Sequence, residues 1–360
     1  MDYFVSIEDP RKWRNVRHKL EDIIILSIVA VICGAEGWEE IEEFGNSKET
    51  FFKSILELPH GIPSHDTIRR VFMLLEPDSF EKSFKSWTES LVKKRKGVLA
   101  FDGKTLRGSH DRVNGKSPIH IVSAWSDANG IVLGQIAVGD KNNEITAIPK
   151  LIEFLDLKGL VVTIDAMGTQ TKIADKIIEK GGDYILALKG NQGYLKELVE
   201  SGFKSRKADL SFETIGKDHG RIETRKCQVI NQLEWMDEEI IRWQGLKSII
   251  KIDSVREIQN TKTEETRYYI SSLKENAELI INSIREHWGI ENKLHWSLDV
   301  TFREDESRKR AGKSAKNFTI VRRIALNLLR THADLKKTSL KRKRLKAGWD
   351  EEYLKNILNI

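Results

Sequence analysis

Near residue 97 the hydrophobic period of this chain changes, and the order of the segments that follow leaves few folds open. GVLAFDGKTL, PIHIVSAWSD and IVLGQIAVGD are short apolar runs with turn residues at their ends, and read as three consecutive strands. ITAIPKLIEFLDL then reads as a helix, LVVTIDA as a buried strand, KIADKIIEK as a helix and DYILALKG as another strand. Three sequential strands followed by alternating helix and strand predict an α/β fold, a mixed sheet with helices on its faces. Residues 204–273 differ: they are polar, with alternating runs such as RKCQVINQL, SIIKIDSVREI and TRYYISSL, and read as a β-rich insertion. A long helix is predicted from about 275 to 298.

Before the period change, residues 20 to 90 read as helices separated by short breaks. After the break PHGIPS a helix can start at Ser64 or Asp66, both good N-caps. Ile68, Val71, Phe72 and Leu75 lie at i, i+3, i+4 and i+7, while Arg69 and Arg70 face elsewhere. Such a pair of helices fits a helix-turn-helix that presents Arg69 and Arg70 to DNA, and equally a helical hairpin that never meets DNA.

Hydrophobic residues make up 39% of the 360, which excludes wholesale disorder, a collagen-like fibre and a polytopic membrane protein. The run IIILSIVAVICGA at 23–35 is too short to cross a bilayer and is expected to be a buried core helix. Two cysteines, Cys33 and Cys227, make no disulfide framework or zinc motif, so a reduced, cytoplasmic protein is expected.

Charge is unevenly distributed. Residues 303–346 hold sixteen Lys and Arg against four acids, so the net +6 of the chain comes from a local block around KRKRLK. A local block is what a polyanion such as nucleic acid would exploit, although a solvated helix and tail would carry the same charges.

Three acids stand out of pattern. Asp102 follows the apolar run GVLAF and Asp165 follows LVVTI; each is a candidate site residue at a strand end or a simple turn cap. On a helical wheel Glu291 falls in the middle of the stripe that the 275–298 helix must bury, with Asp299 at its edge as a reserve. A buried carboxylate needs a positive partner. Three such acids suit one or two Mg²⁺ or Mn²⁺ ions, and two ions about 4 Å apart suit phosphodiester chemistry. There is no GxxxxGK[ST] loop, so no nucleotide cofactor is expected.

FDGKTLRGS around Asp102, TIDAMGTQ around Asp165, LKGNQ at 188–192, HGRIETR at 219–225 and HWGIENKLHWSLDVTFREDESR at 287–308 resemble a bacterial insertion-sequence transposase of the DDE class, in the H-repeat-associated (ISAs-type) branch. GAEGWEEIEEFG and GIPSHDTIRRVF resemble that family's N-terminal associated domain, and the resemblance runs to about residue 330. It implies a helical N-terminal domain over 1–95, a ribonuclease-H-like catalytic domain over 96–330 with the insertion at about 204–273, and a basic C-terminal tail over 331–360. It also implies that Asp102, Asp165 and Glu291 are the metal-binding catalytic triad. Water would then cleave a phosphodiester at a transposon end, and the freed 3′-hydroxyl would attack target DNA. The implied partners are double-stranded DNA, as terminal inverted repeats and target, and a second copy of the chain on that DNA. No membrane is implied, and the cell compartment is the nucleoid-containing cytoplasm.

The sequence departs from the Tyr, Arg, Glu, Lys signature of related transposases, with Ile284, His287 and Leu298 in the Tyr, Arg and Lys places. Phosphate contacts normally made by that signature are therefore in doubt. Lys104, Arg107, Lys189, Asn191, Gln192, His219 and Arg221 are candidate DNA contacts, each of which also fits an ordinary turn or hairpin. His287 and His295 are candidate supports for the triad. A metal-dependent nuclease without strand transfer, a silent DNA-binding copy and a purely structural cation site remain alternatives.

Overall fold

The computed structural model describes residues 2–11, 16–111, 115, 117–139, 144–218, 220–259, 261–274, 276–334 and 337–360. The N-terminal part is helical: α1 (Leu20–Ile32), α2 (Trp38–Ser47), α3 (Glu49–Lys53), α4 (His65–Leu74) and α5 (Pro77–Leu91). Helix α1 is apolar on every side and buried along nearly its whole length, as such a helix must be. Ser64 caps α4, its hydroxyl accepting from the Thr67 amide, while Ile68, Val71 and Phe72 turn inward.

The central part alternates as its periodicity predicts. Strands β1 (Gly97–Leu106), β2 (Ile119–Ser126) and β3 (Ile131–Val138) are followed by α6 (Glu144–Glu153), β4 (Leu160–Ile164), α7 (Thr171–Glu179), β5 (Asp183–Leu188) and α8 (Gly193–Ser205). Then come β6 (Leu210–Asp218), β7 (Arg221–Ile230), α9 (Asp237–Arg242), β8 (Ser248–Ile258) and β9 (Thr261–Ser271). Among the described residues the strands make one nine-stranded mixed sheet in the order β3-β2-β1-β4-β5-β9-β8-β7-β6. Strand β4 runs parallel to β1 and β5 parallel to β4; the other pairings are antiparallel. The β-rich segment therefore extends the same sheet through the β5–β9 pair. It also carries an arm: β7 and β8 stay paired from Gln228 opposite Lys251 out to Arg221 opposite Ile258, roughly 24 Å at ~3.4 Å per residue.

The last third returns to helix: α10 (Ala277–His287), a π-helical segment (Ile290–His295), α11 (Trp296–Val300), α12 (Ser314–Thr331), α13 (Leu340–Trp349) and α14 (Glu351–Leu358). Helix α12 packs on α1, α4 and α5, so the two ends of the chain share one core with the inner face of β1. Helices α6 and α7 cover the opposite face of the sheet. No helix among the described residues is long and apolar enough to cross a membrane.

Four cations of the basic block, Arg322, Arg323, Lys343 and Arg344, lie inside this core, so the block is neither wholly open to a polyanion nor wholly a solvated helix and tail. Arg322 and Arg323 are among the most deeply buried side chains of the chain. Arg323 meets the equally buried Glu304 at 2.9 Å, while Arg344 reaches Glu36 at 2.8 Å and the Val31 carbonyl at 2.8 Å. Lys343 donates to the Leu329 carbonyl at 2.8 Å. These cations replace lost hydration with carbonyls and carboxylates, because a buried charge needs a partner.

Candidate active site

Side chains alternate across a strand, and this alternation decides what Asp102 and Asp165 face. Leu99 and Phe101 of β1 point toward α6 and α7, so Ala100 and Asp102 point the other way. Val162 and Ile164 of β4 share the α7 side, which leaves Val161, Thr163 and then Asp165 on the α10 side. Parallel pairing aligns Phe101 with Ile164, so the two aspartates follow at the same level. Strand β1 does not end at Asp102, contrary to the sequence reading: it continues to Leu106, and Asp102 pairs across to Ser123. Asp165 does end its strand, where its Oδ1 accepts from the amides of Met167 at 3.0 Å and Gly168 at 3.3 Å.

The segment bearing Glu291 arrives by an unexpected route. The expected straight helix breaks into α10, the π-helical segment and α11. A π turn holds more residues than an α turn, so a wheel drawn at 100° per residue loses phase there. Ile290, Leu294 and Leu298 are buried, while Glu291, expected at the centre of the buried stripe, is exposed on the wall of a cleft. Gly289 permits the close passage: a Cβ at this position would sit 2.4 Å from Asp127 Oδ1 and 3.3 Å from Trp125 Nε1.

Asp102, Asp165 and Glu291 together line this cleft of about 380 Å³, with Thr163, Lys189, Arg267, His287 and Trp288 among its other walls. Burial first, and then the negative charges of Glu144, Glu291 and Asp165, push the Asp102 carboxyl up to about 7 against the pull of the Gly103 amide. His295 Nδ1 lies 3.5 Å from Asp102 Oδ2, but burial, then Arg323 and Lys104, lower this imidazole to about 4. It is neutral near pH 7 and cannot offset the carboxylates. His287 Nδ1 contacts Thr163 Oγ1 at 3.0 Å; burial lowers its pKa while Asp165 opposes the shift.

Among the described residues no three His, Cys, Asp or Glu side chains stand close enough together to grip one ion. The carboxylates share walls of one cleft instead. Their hard oxygen donors and mutual repulsion fit a divalent cation of the Mg²⁺ or Mn²⁺ type.

The other candidates separate by geometry. Lys104 is not a groove cation: it is 8% exposed, with its ammonium 2.8 Å from Asp299 and 2.7 Å from Asp305. Asp299, the reserve acid, is thereby engaged. Arg107 is largely exposed, 3.6 Å from Asp305, and Lys189 lines the cleft. Asn191 and Gln192 act as tethers: the first donates to the Ala166 carbonyl at 2.5 Å and the second to the Thr169 carbonyl at 2.9 Å, tying the loop after β5 to the loop after Asp165. Arg221 is at the tip of the arm and His219 lies outside the described residues. Arg69 and Arg70 are exposed on the outer face of α4, Arg69 paired with Asp66 at 2.8 Å, and neither lines the cleft.

Sequence reasoning missed Glu144 and His120. Their side chains meet at 2.7 Å, and His120 also contacts Thr105 at 2.9 Å. The signal was Gly103: a Cβ there would come within 2.1 Å of Glu144 and 2.2 Å of His120, so the glycine after Asp102 makes room for the pair.

The family described as Transposase DDE domain matches residues 93–328, and the one described as DDE_Tnp_1-associated matches residues 1–88. The chain is 42% identical to the "H repeat-associated putative transposase YhhI" of Escherichia coli K12, over 99% of this chain and 97% of the relative. It is 44% identical to the "Putative transposase YncI" of Escherichia coli O157:H7, over 99% of this chain and 94% of the relative. A short relative from Escherichia coli K12, "Inactive transposase YbfQ", is 49% identical over 20% of this chain and 84% of its own length.

Proposed function

The chain belongs to the family of transposases with a DDE domain, and on that premise we propose that it cuts a phosphodiester at the ends of an insertion sequence and transfers the freed 3′-hydroxyl into target DNA. The observation that carries the reading is the convergence of Asp102, Asp165 and Glu291 on one cleft from two adjacent parallel strands and a π-helical turn. The strand order β3-β2-β1-β4-β5, with the third acid on a helix after it, supports a ribonuclease-H-like core over 96–330. Residues 1–95 form the associated domain, 204–273 the insertion and 331–360 the C-terminal region in this reading.

Asp102, Asp165 and Glu291 would hold Mg²⁺ or Mn²⁺, two ions in the full site. Bound there, such ions activate the attacking oxygen and stabilise the leaving one. The remaining work is positional. The parallel register and the Met167 and Gly168 amides hold Asp165, His287 leans on Thr163, and neutral His295 stands beside Asp102 without competing for charge. Lys189 offers a cation on the cleft wall, beside Arg267 paired with Glu265 at 2.7 Å, where the signature arginine of related enzymes is replaced by His287. The partners are duplex DNA, as terminal inverted repeats and target, and a second copy of the chain that holds the other transposon end. The reaction takes place on nucleoid DNA in the cytoplasm.

The test is incubation of the full chain with a labelled duplex carrying the element's terminal repeat and Mg²⁺, beside Asp165→Asn. Metal-dependent cleavage and joined product from the wild type alone support transposition. Cleavage without joined product points to a nuclease. Tight binding without cleavage by either protein would leave a DNA-binding copy, a reading that the relative named as inactive keeps in view.

A further inference from the structure

The two faces of the β-arm are unlike. Residues paired across strands share a face, and so do alternate residues along one strand. Arg225 lies opposite Ser254, Glu223 opposite Arg256 and Arg221 opposite Ile258, so these three residues of β7 share one face with Arg256 of β8. Lower on the same face Cys227 and Ile252 pack against Ile280, Ile281 and Ile284 of α10. Glu223 serves three guanidiniums there: Arg225 at 2.7 Å, Arg256 at 3.4 Å and Arg221 at 4.0 Å. The exposed Arg285 of α10 adds to the same field: burial first, and then Arg285, Arg256 and Arg221, disfavour the charge on Arg225 against the pull of Glu223. At the lower end Arg267, opposite Ile252, sits over the Trp288 ring at 5.1 Å and lines the cleft.

Among the described side chains, Arg221, Arg225, Arg256 and Arg267 of the arm, with Arg285 of α10 beside them, stand against two carboxylates, Glu223 and Glu265, the latter paired with Arg267 at 2.7 Å, so cations are in excess on this face. A polyanion laid along the face would neutralise that excess. We infer that the α10-side face of the arm is a phosphate-contacting track for duplex DNA, running from the cleft past Arg267 to Arg225, Arg256 and Arg221. From Arg267 to Arg221 the face extends six residues along β8, roughly 20 Å or about six base pairs of duplex. The inference deepens the transposase reading and rests on it, since it assigns to the arm the DNA whose scissile phosphate enters the cleft.

Binding of the full chain to a labelled duplex, followed by anisotropy between about 50 and 200 mM salt, tests the track. The variant Arg225→Gln/Arg256→Gln/Glu223→Gln removes two cations without stranding the carboxylate. It is expected to bind about tenfold more weakly at low salt, with a log–log salt slope shallower by about 1.8 and a melting temperature close to wild type. Glu223→Gln alone should act in the opposite sense and tighten binding. An unchanged slope in the folded triple variant, weaker binding by Glu223→Gln, or preference for an RNA duplex of equal length would overturn the inference. A wild type whose binding depends on the arm but which cuts no DNA with Mg²⁺ would support the track and remove the catalytic reading of the cleft.

Discussion

Asp102 and Asp165 each stand one residue beyond a paired position, since Phe101 aligns with Ile164 in the parallel β1–β4 ladder. Adjacent strands are about 4.8 Å apart, so the two carboxylates come from neighbouring backbones at one level of the sheet. Neither side chain needs a long reach to share the cleft. Their backbone supports differ. Asp165 is fixed by two loop amides, whereas Asp102 sits within a continuing strand and takes one bond from its neighbour Gly103 at 2.9 Å.

That difference makes Asp165→Asn the cleaner catalytic substitution. Asparagine keeps a side-chain oxygen for the Met167 and Gly168 amides, so folding should be unaffected. Cleavage of a terminal-repeat duplex should fall by about 10²–10³-fold or more, the scale for removing one electrostatic group from an active site. Gel assays and thermal melts on the same preparation check both halves. A variant that cuts at the wild-type rate removes Asp165 from the site.

Gly289→Ala should disturb the third acid without touching it. The new methyl group would press on Asp127, which Trp125 Nε1 at 3.2 Å and Lys293 at 2.7 Å hold in place. Overpacking of this kind costs about 1–3 kcal/mol. Denaturant titration should show that loss, and cleavage should fall further than stability alone explains, because the π-helical turn carries Glu291. Wild-type stability in this variant would mean that the approach of Gly289 to Asp127 is loose.

Glu304 and Arg323 are both fully buried and 2.9 Å apart. Removing one partner strands a charge, so Glu304→Ala should cost about 3–5 kcal/mol, while Glu304→Leu/Arg323→Met should regain most of it. Burial alone would raise the Glu304 carboxyl, but Arg323, Arg322 and Lys104 bring it below its ordinary 4.5. Its stabilising share is therefore present above pH 4.5 and is lost as pH falls through the lowered folded value. The fall in melting temperature of the wild type below that pH should be shallower in Glu304→Gln.

Asn191→Ala cuts one tether between the loop after β5 and the Ala166 carbonyl. One lost hydrogen bond costs about 0.5–1.5 kcal/mol, a small shift in melting temperature. The loop after Asp165 loses part of its support, so cleavage should fall by a larger factor than that stability loss. Equal, small losses in both would reduce Asn191 to an ordinary turn residue.

What the sequence determined by itself was local. The change of period at residue 97 predicted the run of three strands and the alternation after it, since pleat and helix impose different spacings on the same apolar residues. The Ser64 cap and the long apolar run of α1 were legible because each is set by neighbouring residues alone. Asp102 and Asp165 drew attention because a carboxylate beside a buried run is out of pattern. Tertiary structure decided the rest. The phase of Glu291 depended on a π turn that Gly289 allows to pass close to Asp127. Whether Lys104 met DNA or acids depended on Asp299 and Asp305, some two hundred residues away. Four cations of the basic block, Arg322, Arg323, Lys343 and Arg344, proved to be interior because α12 and α13 return to α1 and Glu36. Glu144 and His120 joined Asp102 only through the register of β2 and the start of α6. Periodicity records which side of an element is buried, but carries no information about which distant group will be packed against it.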